Sequence, residues 1–469
     1  MFILNAIAAF GNWFWGLPIL IVIIGGGVYM TIRLGFVQFR HFGYAMSQTF
    51  GKMFGKTEDG QISSFGAACA ALASTIGASN IVGVPVAIAM GGPGAVFWIW
   101  LIALIGCATK WVEVALGVKY REKNEAGEWV GGPFYYLRGL GQKGSGLYKV
   151  GVFLGYFYAV GLMLELVPSI AAQCLSATDN LAVFGIPQNV AGIVIALLAI
   201  IITVGGFGRI TKVMDLLVPI MAALYIVGAL IVIIANIGNL IPAIGSIFAY
   251  AFRPVAAVGG FAGSTVALCI RWGAARGVYS NEAGFGTAPA AHASADVDHP
   301  IRQACWGIFE VTVDTLVVCT VTALAVLVTG AWQAEGVATG AMAQYAFTSV
   351  FGSFGTYFVA VCVFLFVFST IVVCAYYGQR QAEFLFGLKF SKIWVWIYPI
   401  FMVVAAMGAE LTLMFMVTDG MLGLVIVPNM LACILLVGQV KKLQDEYFNT
   451  PDQYYLADKA AKAAAKAAK

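Results

Sequence analysis

The sequence predicts an all-α integral membrane protein with eleven transmembrane helices, one leading helix followed by a 5+5 inverted repeat. Three observations predict it. The chain of 469 residues is 61% hydrophobic and only 10% charged, with a mean hydropathy of +0.90. Soluble domains carry about 25% charged residues, so this surface cannot be coated for water. The apolar residues also fall in blocks of roughly 20, the length that spans a bilayer core of about 30 Å as a helix. Finally, two stretches with the same interrupted pattern stand 201 residues apart, at Asn80 and Asn281.

The expected spans, in chain order, are 13–33, 66–90, 94–119, 148–177, 187–205, 213–238, 260–284, 303–329, 355–386, 393–417 and 419–437. The first 12 residues hold no Lys or Arg. A cleaved leader has a basic start and a shorter apolar run, so the first block reads as a retained span. Loop charge sets the orientation. Arg40, Lys52 and Lys56 fall in loop 34–65, and Arg121, Lys123, Arg138 and Lys143 in loop 120–147. Arg209, Lys212, Lys389 and Lys392 mark two more basic turns, whereas 91–93, 178–186 and 330–354 contain no Lys or Arg. Strict alternation of eleven spans puts every basic loop on one side. The cell (plasma or inner) membrane is the expected location, with the N-terminus outside and the C-terminus cytoplasmic. The nine cysteines lie in apolar blocks without metal spacing and read as small buried hydrophobes. The ending Ala457 to Lys469 is a lysine–alanine helix former.

The chain divides into a leading helix at 1–35, a first repeat at 36–238, a second at 239–437 and a tail at 438–469. Each repeat opens with a short amphipathic stretch, around Phe39–Ala45 and Ile244–Tyr250, and then enters a span interrupted by small polar residues. The interruptions are Gly77-Ala78-Ser79-Asn80 through Pro85, and Ser280-Asn281-Glu282-Ala283-Gly284-Phe285-Gly286. A repeat of five spans must enter the membrane from opposite sides in its two copies, the architecture of many secondary transporters. Small residues alone would also serve close helix packing. Joined by Asn, Glu and Pro at corresponding positions, they predict that the first and sixth core helices break at mid-membrane. Freed N–H groups there can meet an anion and freed carbonyls a cation.

Ionisable residues inside the spans are costly and mark function by default. Glu165 is one: it could meet a substrate ammonium, carry a coupling proton, or pair with a buried Arg such as Arg271. Lys110 with Glu113, and Glu310 with Asp314, have the spacing of pairs on one helix face. Zinc-protease, nucleophile-elbow and phosphate-loop patterns are absent, which argues against an enzyme. The expected partners are a small-molecule substrate and membrane lipid, not nucleic acid. A proton-coupled carrier using Glu165 and a channel or transport-like receptor stand as alternatives.

The run Gly91-Gly92-Pro93-Gly94-Ala95-Val96-Phe97-Trp98-Ile99-Trp100 resembles a signature of the sodium/alanine symporter family. So do Arg276 through Gly286, Ala288-Pro289, Ala291-His292, Asp298 through Gln303, and Phe309-Glu310-Val311. The resemblance covers most of the chain. It implies the leucine-transporter fold with one extra N-terminal helix, and symport of a small neutral amino acid with sodium. It places Na⁺ at the carbonyls of Ala73, Ile76 and Phe366 and the hydroxyls of Ser369 and Thr370. Oxygen ligands suit such a hard cation. On the residues alone, both hydroxyls could equally bond back to their own helix. The implied substrate contacts are Thr75, the bare N–H of Gly77, Asn80, Glu165, Tyr279 as an aromatic wall, and Cys374. Asn281 and Glu282 read rather as groups that hold the broken backbone.

The sequence departs from the family pattern at three places. Gly77-Ala78-Ser79-Asn80 stands for the usual Gly-Thr-Gly-Asn, and Cys374 and Gln379 stand where many relatives carry Trp and Glu. Glu165-Leu166-Val167-Pro168-Ser169 replaces a stretch rich in amides. A thiol in place of an indole predicts a roomier pocket, which extends the expected substrate from alanine and glycine to larger neutral amino acids.

Overall fold

The computed structural model describes residues 13–14, 17–53, 62–256, 259–409 and 411–467. Apolar composition and helical backbone go together throughout, because in lipid a helix satisfies its own N–H and C=O groups. Among the described residues, seven helices are long and apolar enough to cross a membrane. An eighth crossing is a bent pair, Ser64–Thr75 and Ser79–Gly91, with 48° between the two parts.

The elements in chain order are α1 (Pro18–Arg33), α2 (Phe42–Thr49), α3 (Ser64–Thr75) and α4 (Ser79–Gly91). Then come α5 (Ala95–Lys119) and a hairpin of β1 (Glu122–Lys123) and β2 (Trp129–Val130). They are followed by α6 (Gly146–Leu181), α7 (Gln188–Thr203), α8 (Phe207–Ala235) and α9 (Leu240–Tyr250). The second half holds α10 (Val266–Asn281), α11 (Ala288–His292), α12 (Pro300–Val328), α13 (Met342–Phe351) and α14 (Ser353–Phe386). The last are α15 (Leu388–Ala406), α16 (Leu411–Asn449) and α17 (Tyr454–Ala467).

Length and composition alone therefore support seven or eight of the eleven expected crossings among the described residues. The difference has a geometric cause. Helix α7 has 16 residues, or about 24 Å at 1.5 Å per residue, short of the bilayer core, and the described part of α1 begins only at Pro18. Helix α10 stops at Asn281, also after 16 residues.

Burial sorts the helices. The apolar stretch of α14 is 78% buried, that of α15 only 33%. Helix α14 is thus the central strut, packed on α3, α6 and α8. Exposed Phe153, Leu216 and Ile234 lie on α6 and α8, apolar surface that lipid can cover. Small side chains bring the central helices close. Ala67, Ala68, Ala70, Ala71 and Ala73 on α3 are all fully buried. Ser63 starts α3 by accepting the Gly66 N–H on its Oγ at 2.8 Å. At the far end of the chain Asp458 ties α17 down, accepting from Tyr44, Gln48 and Arg302 at 3.0–3.1 Å.

The second interruption is opened by Glu282 at φ 52 and continues through Gly284 at φ 100 and Gly286 at φ 77. A Cβ at Gly286 would lie 2.4 Å from Pro133, so only glycine fits the turn. The backbone freed there is held by Glu113 of α5. Its Oε1 accepts from Gly284 N, Gly286 N and Asn429 Nδ2 at 3.1, 3.0 and 2.6 Å. Stranding three buried donors costs about 1–3 kcal/mol each, a large part of the roughly 5–15 kcal/mol that keeps a protein folded. Glu113→Leu is therefore expected to abolish recovery of monodisperse protein on size exclusion, with Glu113→Gln milder. Recovery of Glu113→Leu with wild-type melting behaviour would refute this role.

Candidate functional site

Helix α3 comes apart in a defined way. The Ile76 N–H still reaches Leu72 O at 2.8 Å, but Ile76 turns to ψ 85 and leaves the helix. The next N–H, of Gly77, donates to Asn80 Oδ1 at 3.0 Å. That leaves the Ala73 carbonyl without the bond an unbroken helix would give it. It faces α14 instead and accepts from Thr370 Oγ1 at 3.0 Å and Ser369 Oγ at 3.4 Å. The same hydroxyls also reach Phe366 O, at 3.0 and 2.8 Å. Gly77 is needed for this approach, since a Cβ there would lie 2.9 Å from Thr370 Oγ1.

Two carbonyls and two hydroxyls thus converge on one fully enclosed seam; Ala73, Phe366 and Ser369 are 0% exposed and Thr370 3%. Ile76, fully buried, sits at the turn itself. The back-bonding expected of hydroxyls in a helix and the convergence expected of a cation site are both present. A hydroxyl hydrogen rotates freely, so the same oxygens can turn their lone pairs to a small cation.

Beside the seam lies a cavity of ≈ 40 Å³ between the two interruptions, room for about three waters. Glu165, Ser169 and Gln173 line it from α6, at the i, i+4, i+8 spacing of one helix face. Tyr279, Glu282, Phe285 and Thr287 line it from the second interruption, and Thr370 and Cys374 from α14. Glu165 is 3% exposed and hydrogen-bonded to Ser169. No Lys, Arg or His pairs with it among the described residues. Glu282 Oε2 accepts from Thr287 at 2.5 Å and Ser74 at 3.4 Å.

A family profile described as the sodium:alanine symporter family matches residues 1–460. The chain belongs to the sodium:alanine symporter family. An uncharacterized transporter of Bacillus subtilis, YflA, is 45% identical over 452 residues, 95% of this chain and 94% of its own. The sodium/alanine symporter AgcS of Methanococcus maripaludis is 38% identical over 434 residues, 91% and 93% of the two chains. The probable sodium/glutamine symporter GlnT of Bacillus subtilis is 34% identical over 427 residues, covering 90% and 86%. Among solved structures, the Eremococcus coleocola manganese transporter superposes with a TM-score of 0.52 at 14% identity, over 83% of this chain and 88% of that one. At that identity the likeness speaks for the fold alone.

Within this symporter-family chain, Thr75, Gly77, Glu165, Tyr279 and Cys374 meet at the cavity. Two expected donors are already engaged. The Gly77 N–H is taken by Asn80. Asn80 is fully buried outside the cavity lining, its Nδ2 donating to Asp314 Oδ1 at 2.6 Å and Ser280 Oγ at 3.2 Å. Asn80 therefore locks the two interruptions to each other instead of facing a ligand.

The expected one-helix charge pairs are replaced by bonds between helices, because burial selects partners across the seams. Lys110 faces Glu310 at 3.7 Å, and Glu310 also meets His292. Glu113 holds the second interruption, and Asp314 accepts from Ser280, Thr315 and Asn80 at 2.6 Å each. Arg271 is exposed beside Trp272, 5.8 Å from its ring, and does not reach Glu165.

Sequence reasoning missed Ser79 and Gln173. Both line the cavity, and the Ser79 Oγ and Gln173 Oε1 are buried without a hydrogen-bond partner. The helical spacing from Glu165 through Ser169 to Gln173 was the available signal.

Proposed function

We propose that this chain is a secondary active transporter that carries a neutral amino acid into the cell with sodium. The observation that carries the reading is the released Ala73 carbonyl, aimed with Phe366 O at the Ser369 and Thr370 hydroxyls beside the central cavity. Na⁺ would be held by these four oxygens together with the Ile76 carbonyl. The substrate ammonium would meet Glu165, a buried carboxylate that needs a cation. The substrate carboxylate would face the start of α4, where unpaired N–H groups and the helix dipole favour an anion, with the Ser79 hydroxyl as a further donor. The side chain would point toward Cys374, with Tyr279 as its wall. The same lack of a protein cation at Glu165 favours a proton there as second reading, in which a pH gradient drives uptake. A small cavity of ≈ 40 Å³ between two interruptions favours a carrier over a pore.

The expected architecture is part of the proposal: eleven crossings, in repeats 36–238 and 239–437, with basic loops cytoplasmic. The Asn80 to Ser280 bond supports it, because it brings together residues one position away from equivalence across the 201-residue offset.

Uptake into proteoliposomes across a panel of neutral amino acids, with sodium and pH gradients imposed separately, tests the reading. An inward sodium gradient is expected to drive alanine and larger neutral amino acids, glutamine among them. Cys374→Trp is expected to narrow the panel to glycine and alanine. A pocket loses about 1–3 kcal/mol of discrimination per methylene, so larger substrates should fall by at least roughly tenfold against alanine. Uptake indifferent to sodium would remove the coupling, and an unchanged panel in Cys374→Trp would remove that residue from the pocket.

A further inference from the structure

Helix α14 continues past the central cavity toward the basic-loop face. Cys374 lines the first cavity; six residues on, or about 9 Å along the axis, Arg380 lines a second one of ≈ 540 Å³. The Tyr377 hydroxyl, buried between Cys374 and Arg380 in the sequence, lies 3.4 Å from Ser74 Oγ of the first cavity's lining. The second cavity has the size of a small-molecule site. Its walls include Lys123, Trp129, Phe207, Asp296, Tyr376 and Arg380.

Its charged lining residues are Lys123, Glu128, Asp296 and Arg380. The Arg380 side chain is only 8% exposed, and its Nε has no hydrogen-bond partner. Its guanidinium lies 4.9 Å from the Tyr376 ring centroid. One guanidinium nitrogen holds Glu383 of the same helix at 2.6 Å. The other reaches Glu128, in the hairpin turn, at 3.1 Å, and Glu128 is 51% exposed. Only the Glu128 end of this pair is open to solvent, so a competing carboxylate can reach the guanidinium and exchange with Glu128. Asp296, exposed at the same cavity, makes no ion pair among the described residues. Arg121, which donates to the backbone on either side of Asp296, is its charged neighbour; a guanidinium, an exposed carboxylate and aromatic faces together complement a zwitterion.

We propose that this vestibule is a second, weaker amino-acid site on the release side, in which the substrate carboxylate takes the place of Glu128 on Arg380 and the ammonium meets Asp296. It rests on the amino-acid transport reading. Product that accumulates on that side occupies the vestibule and slows further release.

The test is equilibrium binding of labelled L-alanine and, separately, labelled L-glutamine to the purified full-length chain in sodium. Wild type is expected to show two saturable components, the second at least about tenfold weaker. Asp296→Asn and Arg380→Gln should each lose the second component, with the first, read in the same titration, reporting the folded central site. A single component in wild type, or a second one that survives in Asp296→Asn, overturns the proposal while leaving transport intact. Should Arg380→Gln fail to fold, Asp296→Asn decides alone. Absence of any sodium-dependent binding for either amino acid overturns the transport reading and this inference with it.

Discussion

Replacing Ser369 and Thr370 together by alanine is expected to abolish sodium-driven uptake in a protein that still folds. Both hydroxyls donate mainly to carbonyls, Phe366 O in their own helix and Ala73 O across the seam. Their loss leaves Ala73 O less well satisfied, a cost of about 1–3 kcal/mol that a helix this buried can bear. For the cation the loss is larger. Two oxygen contacts to a charge contribute roughly 1.5–3 kcal/mol each. Losing both raises the half-saturating sodium concentration by about 10²–10⁴-fold, beyond any usable gradient. Thr370→Ser keeps the hydroxyl and should retain coupling. The measurement is the sodium activation curve of uptake, with thermal unfolding as control. An unchanged half-saturating sodium concentration in the double variant would show that the hydroxyls only bond back to their helix.

Both helix interruptions were legible in the sequence, because Gly77 to Asn80 and Ser280 to Gly286 put small and polar residues into apolar runs. Membrane helices carry such clusters only where the backbone has other partners. The number of crossings was less legible. Hydropathy marks apolar stretches, but α7 and α10 end after 16 residues. The ends are set by turns and neighbours rather than by apolar length.

At the site the same division holds. The seam residues Ala73, Phe366, Ser369 and Thr370 were legible through the family resemblance, and the structure brings their oxygens together. Partners of buried polar groups were not. Asn80 reads as a ligand by position, but Asp314, 234 residues away, engages it. Lys110 and Glu113 are three residues apart on α5, yet they serve different helices. Spacing along one helix cannot report which neighbouring helix a buried side chain meets, and in a packed bundle that neighbour decides the bond.

Glu165→Gln carries the second large effect. The carboxylate is buried, bonded to Ser169, and faces a cavity that also holds Glu282. Two carboxylates around one small space, with no protein cation on Glu165 among the described residues, leave a strong preference for a positive ligand. Removing one partner of a buried ion pair costs about 3–5 kcal/mol, or roughly 10²–10⁴-fold in substrate affinity. Glutamine keeps the size of the side chain and its bond to Ser169, so stability should hold while the apparent KM for the amino acid rises by that factor. The sodium activation curve, measured at saturating amino acid, should move little, because Ser369 and Thr370 are untouched. The proton reading separates cleanly here: if Glu165 carries a coupling proton, the variant keeps substrate exchange between equal solutions but no longer responds to a pH gradient. KM and maximal rate both within twofold of wild type would eliminate Glu165 from either role and leave Glu282 as the carboxylate that meets the substrate.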